Sequence, residues 1–159
     1  MLDEQREFET KLAILGDILA KKQEALETIL NICENQESLY ASSSIHERRD
    51  FLLEMGKEKQ IYIDQVLHCD DAFQAIFEPL SATFPDKGQN YPDQVKGLQE
   101  AIQRVLEIDV KIRVQEERTK ISAKAVWAKE GRGASAEPTQ ADRNYILSQY
   151  QENNRNRPK

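Results

Sequence analysis

FETKLAILGDILAKKQEALETILNICENQESLY, residues 8–40, decides how this chain is read. Phe8, Leu12, Leu15, Leu19, Leu26, Ile29, Cys33 and Tyr40 follow one another in steps of four and three, with Lys22 and Gln36 filling the two polar positions of the same period. A helix turns about 100° per residue, so this rhythm gathers its side chains on one face. Sustained over about four heptads, it is the pattern of a coiled-coil-like seam. Ile14, Ile18 and Leu30 flank the seam and widen it to the stripe that a bundle needs and a simple two-stranded dimer does not. The helix is expected from about Glu4 to Tyr40; at about 1.5 Å per residue it is roughly 50 Å long.

Working outward, SSSIHE follows at residues 42–47. Ser44 with Glu47 three residues later reads as a capping box, which turns the chain around residues 41–43 and starts a second helix at Ile45. Its seam is Leu52, Met55, Lys59, Tyr62, Val66, Cys69, Phe73, Ile76 and Leu80, broadened by Phe51, Ile63 and Phe77. Pro79 lacks an amide hydrogen and is expected to end or kink the helix by Glu78. ATFPDKGQNY, residues 82–91, is turn chemistry. Pro92 then suits the first position of a third helix, with Asp93 favourably placed in its first turn. Val95, Leu98, Ile102, Val105, Ile108 and Ile112 carry the period onward, after which it thins to Val114, Ile121, Val126 and Trp127 among many charges.

The fold expected is therefore all-α: an elongated antiparallel bundle of three long helices over residues 1–130, with a flexible tail at 131–159 that has room for a short helix. Gly131, Arg132 and Gly133 break the pattern, and the tail's Ala, Ser, Pro, Gln, Asn and Arg cannot bury enough surface to fold alone. Within it, Tyr145, Ile146, Leu147 and Tyr150 form a short apolar cluster that reads as a docking segment.

Composition narrows the function. The 159 residues are 39% hydrophobic and 31% charged, with only six Gly and five Pro, which favours long helices. Residues 1–103 carry 20 acidic and 10 basic side chains, a net −10, whereas 104–159 carry 12 basic and 8 acidic, a net +4. That basic end is too weak a footprint for nucleic-acid binding. No apolar run reaches membrane-spanning length, and MLDEQREFE is too acidic and polar for a signal peptide. Cys33 and Cys69 both fall within helical patterns and suit reduced thiols, so a cytoplasmic protein is expected.

LHCDD, residues 67–71, offers the most tempting chemistry. On a helix, however, Cys69 falls on the seam while His68 and Asp71 share an outer flank, so the cluster does not converge on a metal. It reads as a buried thiol flanked by solvated polar groups. No phosphate-binding or nucleophile-elbow motif occurs. A helical enzyme of the chorismate mutase kind places Arg and Lys inside its bundle, and Lys22, Lys59 or Arg104 would have to converge on a closed pocket for that reading. Seam lysines more often set register or reach to the surface. No catalytic residue, metal ligand or cofactor is assigned.

FLLEMGKEKQIYIDQVLHCDDAFQAIFEPL, residues 51–80, resembles the second helix of FlgN-type flagellar export chaperones, where a Glu-Lys pair (here Glu58 and Lys59) precedes an apolar run and an Asp-x-x-Phe step (Asp70 and Phe73). YPDQVKGLQEAIQRVLEIDVKIRVQEERTK, residues 91–120, and the late YILSQYQENN, residues 145–154, are similar to that family's third helix and Tyr-rich end. The resemblance implies binding rather than catalysis: a cytoplasmic chaperone that shields the amphipathic terminal helices of hook-associated, hook–filament junction proteins, prevents premature assembly and delivers them to the export gate or its ATPase. By position it implies client contacts at Val114, Ile121, Val126 and Trp127, joined by Tyr145, Ile146, Leu147 and Tyr150. Arg113, Glu116, Glu117, Arg118, Lys120 and Lys124 make this stretch more charged than an ideal groove. A tail folded over the region of Trp127 would be displaced by client. The rival reading is a coiled-coil adaptor that dimerises through its wide seams.

Overall fold

The structure, a computed structural model, describes residues 2–42 and 45–131. Four α-helices are present among them: α1 (Leu2–Ser42), α2 (Ile45–Leu80), the single turn α3 (Phe84–Lys87) and α4 (Pro92–Gly131), with a 3-10 turn at Gly88–Asn90 between the last two. The all-α expectation holds, but the count is four rather than three. The stretch read as turn chemistry is itself helical, because Pro85 sits in the first turn of α3, where a missing amide costs nothing. None of the described helices is long and apolar enough to cross a membrane. The capping pair Ser44 and Glu47 and the tail cluster Tyr145, Ile146, Leu147 and Tyr150 lie outside the described residues or side chains.

α1 is the central element, packed against both α2 and α4, whose own backbones hardly approach each other. The whole seam predicted for α1 is inward: Phe8, Leu12, Leu15, Leu19, Leu26, Ile29, Cys33, Gln36 and Tyr40 are buried, and Lys22 is half-buried. Ile18 and Leu30 are half-buried flanks, whereas Ile14 is exposed. Ala25 and Ile32, outside the predicted stripe, are buried as well, since a helix covered from two sides needs a wider apolar arc than one seam provides.

Contacts along the helices give their directions. Tyr91 donates from its hydroxyl to the Gln5 carbonyl (3.1 Å) and Thr119 to the Cys33 carbonyl (3.5 Å), both 86 residues apart, so α1 and α4 run the same way in constant register. The Lys22–Asp70 ion pair and the bond from Arg48 Nη1 to the Tyr40 carbonyl (3.0 Å) require α2 to run the opposite way. The Arg48 bond satisfies a carbonyl in the last turn of α1, where no intrahelical donor remains. Arg48 is 2% exposed and its guanidinium lies 5.8 Å from the Tyr40 ring centroid.

Helix α2 departs from its prediction at both ends. Phe51, expected to broaden the seam, is 61% exposed, while Lys59, Ile63, Cys69 and Leu80 are buried. Pro79 lies inside the helix, which runs one residue beyond it. In the last turn proline removes only one amide. Two carbonyls left open by the helix end are taken as well: the Ser81 hydroxyl donates to that of Glu78 (2.7 Å), and the Thr83 amide donates to that of Leu80 (3.1 Å). α4 starts at Pro92 with Asp93 in its first turn, as expected.

Candidate functional site

Because α2 and α4 each lie on α1 without closing on each other, a groove of about 240 Å³ remains between them. α1 supplies its floor through Leu26 and Ile29; α2 contributes Ile63, Val66 and Leu67 to one wall, and α4 contributes Val105, Leu106 and Ile112 to the other. Apart from Leu106, which directly follows Val105, these fall on their helices at steps of three, four or seven, which brings the side chains to one face. Charges frame this apolar strip. Lys22 and Asp70 pair at 2.5 Å between α1 and α2, and Arg113 pairs with Asp109 on α4 at 2.8 Å. The second Asp70 oxygen is buried without a hydrogen-bond partner among the described residues.

Asp70 corrects the reading of LHCDD. Asp71 and His68 are exposed and Cys69 is buried, as expected, but Asp70 is turned to the groove and held by Lys22 rather than solvated. Both seam lysines have acidic partners. Lys59 lies 3.9 Å from Glu116, with side chains only 4% and 9% exposed, where α1, α2 and α4 meet. Around that pair stands a polar layer. Gln115 donates to the Glu37 carboxylate, the Thr119 hydroxyl donates to the Gln115 carbonyl (2.9 Å), and the Cys33 thiol is pushed up by burial, partly offset by nearby Lys59. Arg104 is exposed and does not line the groove.

The four predicted site residues on α4 divide into two sets. Val114 and Ile121 are exposed, whereas Val126 and Trp127 are half-buried. Trp127 stands edge-on to Tyr40 of α1, ring centroids 6.4 Å apart, and Val126 lines a shallow depression with Glu37, Tyr40 and Ser122. The stripe of α4 therefore does not thin after Ile112. It continues inward through Gln115, Glu116, Thr119 and Ala123, which a search for apolar residues passes over, and Val114 and Ile121 fall on the outside. No group of three or more His, Cys, Asp or Glu able to hold a metal occurs among the described residues.

No protein-family model, curated protein or solved structure matches the chain.

Proposed function

We propose that this protein is a helix-binding chaperone of the flagellar export kind, which holds a hook-associated protein in the cytoplasm by an amphipathic terminal helix, keeps it from premature assembly and hands it to the export apparatus. In this reading the three long helices are an elongated antiparallel bundle that lacks a fourth, and the client supplies it. The observation that supports this most is the groove between α2 and α4, with an apolar floor and charges along its edges. An amphipathic helix offers the matching surface: apolar anchors at i, i+3, i+4 and i+7, with polar flanks that meet Asp70, Asp109 and Arg113. Val114 and Ile121 extend the α4 wall outward from the groove, and client contacts continue onto them.

The test is a calorimetric titration of the full chain with the C-terminal helical segment of a hook–filament junction protein from the same cell. A one-to-one isotherm is expected, weakened about tenfold or more by Leu67→Glu and by Leu106→Glu, since each places a charge on an apolar wall. Circular dichroism of each variant checks that the helices persist. Changing Val126 and Trp127 to Ala asks whether the end of α4 adds contacts or only packs on Tyr40. No heat at about 10 µM or above would sink the chaperone reading and favour the adaptor.

A further inference from the structure

We propose that the outer face of α4 is a self-pairing surface, on which a second copy of this chain lays its own α4 antiparallel, with the two-fold axis beside Val110. Ten large hydrophobic residues are exposed among the described residues, and five of them stand on this one helix: Ile102 (37%), Leu106 (54%), Val110 (57%), Val114 (48%) and Ile121 (65%). Steps of four drift by about 40° in one sense, so Ile102, Leu106, Val110 and Val114 form a slanted row that winds through about 120°, and the step of seven returns Ile121 to within about 20° of Val114. Scattered exposed hydrophobics need no partner, but a continuous ridge on a single helix does.

Charge identifies the partner. From Asp93 to Asp109, α4 carries Asp93, Glu100, Glu107 and Asp109 against Lys96 and Arg104, a net −2. From Lys111 to Lys124 it carries Lys111, Arg113, Arg118, Lys120 and Lys124 against Glu116 and Glu117, a net +3, and Glu116 is buried against Lys59. A helix acidic at its start and basic at its end is complementary to itself only when reversed. With the axis at Val110, Leu106 meets Val114 of the second copy and Val110 meets its own counterpart. Glu107 then lies beside Lys111, Asp109 beside Arg113, and Glu100 beside Arg118 of the second copy, each pair occurring twice by symmetry. Arg104 is the exception, since Arg118 of the second copy comes within its reach. The ridge from Ile102 to Ile121 is about 30 Å long. A single helix pair of that length buries less than the roughly 1,600 Å² of a standard interface, so the contact is reversible, with a Kd in the micromolar range.

The ridge shares Leu106 with the groove and Val114 and Ile121 with the proposed client contacts, but Ile102 and Val110 belong to neither, so a change at Val110 tests self-pairing apart from client binding. Sedimentation equilibrium of the full chain between about 1 and 200 µM is expected to show a monomer–dimer equilibrium. Val110→Glu should weaken it at least about tenfold by burying a charge at the axis. Glu107→Lys or Lys111→Glu alone should weaken it about threefold to tenfold, and the two together should restore it to within about threefold, a rescue that antiparallel self-pairing requires. Val110→Cys should cross-link to itself on oxidation, while the native Cys33 and Cys69 stay protected by burial. A chain that remains monomeric throughout this range, or a dimer indifferent to Val110→Glu, overturns the proposal. So does a ridge found covered by residues 132–159 or by client alone.

Discussion

Where α1 begins, its stripe is covered by rings; where α1 ends, the same stripe is covered by charges and amides. At the first end Phe8 lies 5.7 Å from both Phe84 and Tyr91, and the stack continues through Phe77 (5.6 Å from Phe84) to Phe73 (5.7 Å from Phe77). At the other end Cys33, Gln36, Lys59, Gln115 and Glu116 are all buried within one layer, with Arg48 behind them. Both ends fill space, but they specify it differently. Apolar rings contribute most of their stabilisation through area removed from water and tolerate small shifts in register. A buried ion pair adds little net stability, because desolvation offsets its attraction, yet a slip of one turn leaves charges unpaired at a high cost. The aromatic end holds the helices together, and the polar end fixes how α2 and α4 sit on α1.

Truncation should break the aromatic end hardest. Phe8→Ala removes a side chain that is 1% exposed and packs on Phe84 of α3 and on Tyr91 just before α4. A loss of about 3–5 kcal/mol is expected in chemical denaturation. Glu116→Ala should follow at about 3 kcal/mol, since it strands the Lys59 ammonium in the interior. Lys59→Met with Glu116→Leu should recover to within about 1 kcal/mol of the parent or exceed it, at some expense of a unique register. If Glu116→Ala alone proves harmless, the polar end is hydrated rather than sealed, and the contrast between the two ends collapses.

The smallest expected effect is a pH slope. The Cys33 thiol has an ordinary value of 9.0 and burial raises it, with Lys59 acting against the rise. Below that value folded and unfolded chains both hold the proton, and the contribution is complete. As pH climbs past 9.0 the unfolded thiol ionises while the native one keeps its proton, so stability falls until the native thiol also titrates. Denaturation midpoints taken from pH 8 upward should decline less steeply for Cys33→Ala than for the parent. Equal slopes would show that Cys33 does not feel its burial.

How far the sequence could be read follows the same division. The apolar half was legible because burial there coincides with residue type: every position in the α1 seam is inward or half-buried. The polar half was not. Gln115, Glu116 and Thr119 continue the α4 stripe at the right spacing but with the wrong chemistry, so the period was lost just where it turned ionic. Lys22 and Lys59 could be flagged as seam lysines, but their partners Asp70 and Glu116 come from other helices, and pairing across helices depends on register. The groove was illegible for the same reason, since three helices build it and no short stretch contains it. Phe51 was misplaced because it was read as a flank broadening the α2 seam, at a position that the bundle leaves open.

The constant 86-residue offset between α1 and α4 has a consequence for how the chain reaches this state. α1 and α2 are neighbours in sequence and can pair as a hairpin soon after both exist. The other side of α1 is sealed only by α4, whose contacts close loops of that length. Loop closure costs entropy before these contacts return any stability, so docking of α4 is the expected slow step. On a ribosome the stripe from Phe8 to Tyr40 stays half-covered until the last third of the described chain emerges. During that interval the nascent hairpin keeps an apolar helix face open to any helper that binds such faces.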